Sequence, residues 1–333
     1  MKIAGQNNIF LFWNEGAGEI PVVHRMNIEN IKNRLKDTEW NVVVTSLNKN
    51  DEFYIENLID LPSYFFSLDK SIGDTKFLGG NQSDIVRLRL LEKFGGVYFD
   101  TSTILLKENI NDILLYRRFI HEGASLAAYT NFTFTRKNCD KGNFFTEAKD
   151  GIELGVLYAK KNSRILRVFN QEIDSYWRWK TKNKPYTEYP LFIKYNLTKV
   201  SFLNQYHIHY SIFHLIVTRD TSLLNELVVQ SMHMKGKEDS DIDGPYSITD
   251  RFCRDDDGYG RAQPKKLLEA FTEGDVLTNT GENTSLGDRV NLFSKMDLIV
   301  IPGYMRVDIE DKFKTVEDFS NVISCYNCFY KKT

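Results

Sequence analysis

Short apolar runs of two different periods alternate along this chain, and their order predicts an α/β protein. Residues 8–13 and 40–46 are near-continuous apolar stretches of strand length, rich in aromatic and β-branched side chains. Between them, Ile31 and Leu35 mark one face of an amphipathic helix. A strand–helix–strand opening implies parallel strands joined by a right-handed crossover. The segment from Gln82 to Thr103 repeats the alternation in compact form. Ile85, Leu88, Leu91 and Phe94 recur at helical spacing. Gly95-Gly96 supplies the stop, because glycine takes positive φ at little cost at a helix C-terminus. Val97-Tyr98-Phe99 then reads as a short buried strand with Asp100 at its carboxyl end. An all-apolar strand between helices belongs near the centre of a mainly parallel sheet.

The pattern continues more loosely. Ile104 to Leu106 extends a strand or begins a bend, and Asn111 to Arg118 reads as a short helix. Leu126–Tyr129, Phe132–Thr135 and Ile152–Lys160 are strand-like. Ser163 is a cap for a helix reaching Trp179, with Ile165, Leu166, Val168, Phe169, Ile173, Tyr176 and Trp177 as its core stripe. Tyr206 to Val217 is apolar with His207, His209 and His214 spaced through it; as a strand it would place His207 and His209 on one side. Residues 236–260 and 272–289 are polar loops, and Asp297 to Pro302 is a final strand. No repeat or linker interrupts the chain, which predicts one domain over 1–333. Its core spans 1–110, and 140–333 adds helical, loop and lid elements.

The candidate chemistry sits on the Gln82–Thr103 unit. Asp84 and Arg87 are three residues apart and share a helix face. Ligands of open α/β sheets sit outside the carboxyl ends of strands, where Asp100 falls. The geometry therefore aims Asp84, Arg87 and Asp100 at one crevice. The plainer alternative for the first two is a surface ion pair worth about 0.3 kcal/mol. Arg89 points elsewhere on the helix, as a solvated or structural charge.

The pattern S-D-x-x-R-x-x-x-L-x-x-x-G-G-x-Y-x-D over Ser83–Asp100 resembles that of GT-A glycosyltransferases. It is similar to the capsular polysaccharide synthesis proteins and to the DXD-containing sugar-binding family of mannosyltransferases and glucosylating toxins. The opening Ile9–Gly16, Ile20-Pro21 and Trp40–Thr45 follows the same families' order of strand, Trp, Gly, Pro, helix and strand. The resemblance covers residues 5–110 well and 140–250 loosely. It implies a GT-A-like α/β fold in which 1–110 binds a nucleotide sugar and 140–333 supplies acceptor-side and lid elements. It also implies a hexosyl- or pentosyltransferase, using a UDP-sugar and a glycan acceptor.

On the same resemblance, Asp84 and Arg87 bind the donor sugar, Trp13 stacks on the base, and Asn14 is a lesser contact. Asp100, Thr101 and Ser102 face the diphosphate, with Asp100 and Ser102 holding Mn²⁺ or Mg²⁺. Hard oxygen ligands suit those ions. The second acid of Asp-x-Asp is missing here, and capsular synthesis relatives often show a similar Asp-small-Thr arrangement. The missing acid keeps a catalytically weak nucleotide-sugar or glycan-binding protein as the alternative. A glycoside hydrolase needs two facing carboxylates, and none stand out. A dinucleotide-binding enzyme is disfavoured, since no G-x-G-x-x-G follows the first strand.

Composition narrows this little. The 333 residues carry a formal net charge of −2, which gives no pull toward nucleic acid. No apolar run is long enough to span a bilayer. Met1–Asn8 is too polar for a secretory signal, so the expected location is cytoplasmic. Four cysteines in this length make no disulfide scaffold, and Cys325-x-x-Cys328 lacks the second pair of a zinc site. Sequons at Asn81, Asn131, Asn196 and Asn283 matter only in a secretory pathway. Asp239-Ser240-Asp241-Ile242-Asp243-Gly244 with Asp250 matches calcium-loop spacing, with Asp in place of the usual Glu. The resemblance favours another reading, through Gly244-Pro245 and Thr249, as a cleft loop of the mannosyltransferase-like relatives, ahead of a plain acidic loop and of calcium.

Overall fold

A computed structural model describes residues 3, 7–72, 78–105, 107–130, 152–197, 208–231, 246–247 and 298–300. In chain order the elements are β1 (Asn8–Trp13), α1 (Val22–Leu35), β2 (Asn41–Ser46), α2 (Leu68–Ile72), α3 (Leu78–Phe94), β3 (Gly96–Phe99) and β4 (Thr103–Leu105). There follow α4 (Leu114–His121), β5 (Leu126–Thr130), β6 (Val156–Ala159), α5 (Arg164–Trp179), α6 (Pro190–Lys194), α7 (Ile208–Arg219), β7 (Leu227–Ser231), β8 (Tyr246–Ser247) and β9 (Leu298–Val300). They form two compact units: residues 1–19, 40–100 and 115–230 in the first, and 20–39, 101–114 and 231–333 in the second.

The first unit is built on a six-stranded sheet in the order β2-β1-β3-β6-β5-β7. The expected α/β class, a central sheet flanked by helices, is what the chain adopts. Its parallel part is β2-β1-β3, with Phe10 opposite Val43 on one side and Tyr98 on the other. Beyond β3 the direction reverses: β6 runs antiparallel to both β3 and β5. The sheet is therefore mixed, with β6 running against β2, β1, β3 and β5. A central strand buried on both faces is an apolar run in either direction, so burial alone carries no sign. The Asp100 strand is central, as expected.

Helices pack on this sheet through the stripes that predicted them. In α3, Ile85, Leu88 and Leu91 are buried, and Gly95 and Gly96 follow at φ +71° and +99°. A Cβ on Gly95 would lie 2.7 Å from the backbone N of Lys161, so tight packing as well as conformation calls for glycine there. The cap of α5 is Ser163, whose hydroxyl accepts from the Leu166 N–H at 3.5 Å. Phe169 of α5 meets Phe213 of α7 with ring centroids 5.4 Å apart. The apolar 206–217 stretch thus holds a helix and not a strand. Ile208, Ile212, Leu215 and Ile216 repeat at helical spacing and are all buried. Arg89 is structural: it pairs with Asp174 of α5 at 2.6 Å, and Asp174 also accepts from the Tyr64 hydroxyl at 2.7 Å. Asn81 is buried within α3, so its sequon is closed to modification in the folded chain.

In the second unit β9 lies between β4, antiparallel to it, and β8, parallel to it. Asn27 of α1 donates to the carbonyls of Thr101 and Thr103, at 2.9 and 2.7 Å, tying that helix to β4. Among the described residues no helix is long and apolar enough to cross a membrane. The Phe132–Thr135 strand, His207, the four cysteines, the sequons at Asn131 and Asn283, and the 239–250 acidic motif lie outside the described residues, two residues of β8 excepted.

Candidate active site

The first unit gathers three of the predicted residues at the carboxyl end of β3. Asp84 and Arg87 are one helical turn apart on α3, and both are almost wholly buried, unlike a surface ion pair. Asp100 follows β3, and its side chain is 37% exposed against 6% for Arg87. Arg87 Nη2–H donates to Asp100 Oδ1 at 2.8 Å and to the Ser83 hydroxyl at 2.8 Å. The same nitrogen lies 3.3 Å from Asp84 Oδ1. Arg87 Nε–H reaches the Ser83 carbonyl at 3.3 Å, and the guanidinium sits 4.6 Å above the Tyr98 ring. Arg87 Nη1 makes no hydrogen bond to a described residue.

The electrostatics follow from that packing. Burial by itself would lower the Arg87 pKa, but Asp100, Tyr98 and Asp84 more than offset it and carry it upward. Burial raises the Tyr98 phenol, so it stays protonated and exchanges a hydrogen bond with the Ser83 hydroxyl at 3.0 Å. Asp100 is held from the other side by the residue that precedes β6: its backbone N–H donates to the Gly155 carbonyl at 2.7 Å. A Cβ on Gly155 would stand 2.9 Å from Asp100 Oδ2, so glycine there leaves room for the carboxylate.

Behind Asp84 lies a contact that no sequence pattern announced. Asp84 Oδ2 is 2.8 Å from Nδ1 of His209, which α7 buries completely. The other ring nitrogen, His209 Nε2, lies 3.0 Å from the indole Nε1 of Trp177. One of three histidines spaced through an apolar run was the only available signal, and it says nothing of a partner 125 residues away.

The remaining predicted residues divide between the units. Trp13 ends β1, whose carboxyl end is the parallel neighbour of that of β3. Asn14 Nδ2–H donates to Gln82 Oε1 of α3 at 2.9 Å, while its own Oδ1 is buried without a partner. Thr101 and Ser102 belong to the second unit and are buried there. Among the described residues no three His, Cys, Asp or Glu side chains cluster as a metal site. Asp100 alone among the predicted ligands presents an accessible carboxylate.

The profile of the capsular polysaccharide synthesis protein family matches residues 2–232, which takes in every residue of this cluster. The chain belongs to that family. This capsular polysaccharide synthesis protein is 20% identical over 192 residues to the O-glycosyltransferase braB of Annulohypoxylon truncatum, covering 57% of its own length. It spans 42% of the length of that curated relative. Among solved structures it is similar to the PaToxG glycosyltransferase, at 16% identity and TM-score 0.32, covering 66% of this chain and 73% of that one. A glycosyltransferase involved in glycosylation of the major capsid of PBCV-1 is similar at 9% identity and TM-score 0.34, with 67% and 80% covered.

Proposed function

We propose that this capsular polysaccharide synthesis protein is a GT-A-type glycosyltransferase that moves a sugar from a UDP-sugar to a glycan acceptor. The observation that carries the reading is the exposed Asp100 carboxylate at the end of a central strand, held by the buried Arg87. A transferase must fix a diphosphate and offset the charge that develops as it leaves. Arg87 orients Asp100 through Nη2 and keeps its Nη1 hydrogens for a substrate oxygen. Asp84, with carboxylate lone pairs to spare, accepts from sugar hydroxyls beside it. Trp13 offers a face for the base, and the unpartnered Oδ1 of Asn14 offers an acceptor near it.

The residues fit a hard divalent cation of the kind held by one or two carboxylates and completed by substrate phosphates. Asp100 would hold Mn²⁺ or Mg²⁺. Bound there, the ion supplies Lewis acidity to the departing diphosphate. The domain reading stays with this function: residues 1–110 serve the donor, and 140–333 the acceptor side and lid.

The test is a panel of nucleotide sugars assayed for nucleoside diphosphate release with Mn²⁺ or Mg²⁺ and a glycan acceptor. Release from a UDP-sugar, lost in Asp100→Asn, is the expected result. Tight UDP binding with no release from any donor would instead favour the sugar-nucleotide-binding alternative. No binding of any nucleotide would overturn both.

A further inference from the structure

We propose that His209 is a positioning residue for Asp84, and that Trp177 selects the ring tautomer that makes it one. The inference rests on the donor-site reading of Asp84 and names a residue that reading does not contain. An indole nitrogen can only donate a hydrogen bond. Trp177 Nε1–H, 3.0 Å from His209 Nε2, therefore requires a lone pair on that nitrogen. In the neutral ring the hydrogen is then on Nδ1, where it points at Asp84 Oδ2, 2.8 Å away. The two contacts are satisfied together in this tautomer and in no other neutral form.

The consequence reaches the exposed end of the site. His209 pins Asp84 Oδ2, which leaves Oδ1 turned toward Arg87 Nη2 at 3.3 Å. Arg87 in turn holds Asp100 at 2.8 Å. The order is Trp177 on α5, His209 on α7, Asp84 and Arg87 on α3, and Asp100 after β3. Three helices thus fix one carboxylate at a strand end through four contacts. The face of α7 that carries His209 is otherwise apolar, with Ile208, Ile212 and Phe213 buried beside it. A hydrophobic residue would pack there, so the imidazole is explained by Asp84 and not by the core.

Two substitutions separate positioning from packing. In His209→Asn the amide N–H falls near the place of Nδ1 and can still donate to Asp84. In His209→Gln the amide reaches Trp177 and leaves Asp84 without its donor. Both remove the ring from the same buried place, so both lower the melting temperature. His209→Asn is expected to keep most of the nucleoside diphosphate release. His209→Gln is expected to lose about 10- to 100-fold, as for a lost hydrogen bond to a charged group. Equal losses in the two, or no loss in His209→Gln, would overturn the proposal.

Nitrogen-15 spectra of the wild-type imidazole decide the tautomer without any assay of turnover. The Nδ1–H form is expected in the wild type, and a mixture of the two forms in Trp177→Phe. An Nε2–H ring in the wild type would overturn the proposal. A wild-type protein that turns over no donor sinks the donor-site reading, and the ring spectrum then decides the tautomer claim alone.

Discussion

Replacing Arg87 by lysine keeps the charge and removes the fork, so it measures what the geometry of the cluster contributes. In the wild type, Arg87 Nη2 serves Asp100 and Ser83 at 2.8 Å and approaches Asp84 at 3.3 Å, while Nε serves the Ser83 carbonyl. A lysine ammonium is one point on a flexible stem and cannot meet partners on both sides. The Asp100 end is discounted, because its side chain is 37% exposed and water replaces the lost bond. The Asp84 and Ser83 end is shut from water and is not discounted. One charged hydrogen bond lost there costs about 1.5–3 kcal/mol. For a chain of this size that lowers the melting point by several degrees.

Arg87→Ala goes further, because it removes the guanidinium beside the buried Asp84 side chain. That class of truncation costs about 3–5 kcal/mol. Urea unfolding of both variants, with calorimetry of UDP binding to Arg87→Lys, is the assay. The order wild type, Arg87→Lys, Arg87→Ala is expected in stability, with transfer impaired in Arg87→Lys and UDP affinity nearly kept. A lysine variant within about 0.5 kcal/mol of wild type, the usual span of surface substitutions, would refute the reasoning. Equal loss of UDP affinity in Arg87→Lys and Trp13→Ala would make Arg87 a phosphate ligand.

Asp100→Asn should fold normally, since the side chain is partly exposed, and should abolish nucleoside diphosphate release; wild-type turnover in a folded variant removes Asp100 from the mechanism. Trp13→Ala should weaken UDP by about 1–3 kcal/mol, the range for base–aromatic stacking, read by calorimetry. Chelation of divalent ions should weaken UDP binding in the wild type and have little further effect in Asp100→Asn; equal effects in the two would place any metal elsewhere. Asp220 caps a short helical turn, and hydrogen bonds from Ser222, then the charges of Arg164 and Arg219, hold its pKa below the ordinary 3.8. A depressed carboxylate stabilises above its unfolded pKa and loses that contribution as pH falls. The melting-point gap between wild type and Asp220→Asn should therefore be widest above about pH 5 and close under acid.

The fold was legible where local signals agreed. A cap at Ser163 and a stripe from Ile165 to Trp177 bounded α5 to the residue, since cap and period point the same way. The Gly95-Gly96 stop and the Val97–Phe99 run placed β3, and with it Asp100. The reversed sense of β6 was not legible, because it is as uniformly apolar as a parallel strand would be. The α7 helix was obscured by burial on most of its faces, which leaves little contrast between polar and apolar sides. Of the site, the triad could be read because Asp84 and Arg87 share a turn and Asp100 closes the next strand. His209, Trp177 and Gly155 join it only through the fold.

The charge within the cluster bears on how an anionic ligand could be held. One guanidinium, that of Arg87, lies 3.3 Å from an oxygen of Asp84 and 2.8 Å from one of Asp100. Burying ion pairs seldom stabilises a protein relative to an apolar core, so stability alone gives no reason for this arrangement. On the proposed function a carboxylate that meets a diphosphate would call for a cation between them, and a hard divalent ion would supply it. The buried members Asp84, Arg87 and His209 would then serve to fix the direction of the Asp100 carboxylate. A site with two acidic ligands can divide the holding of an ion between them. On the proposed function Asp100 is the one carboxylate that would hold it, which gives a physical reason for fixing Asp100 through both α3 and Gly155.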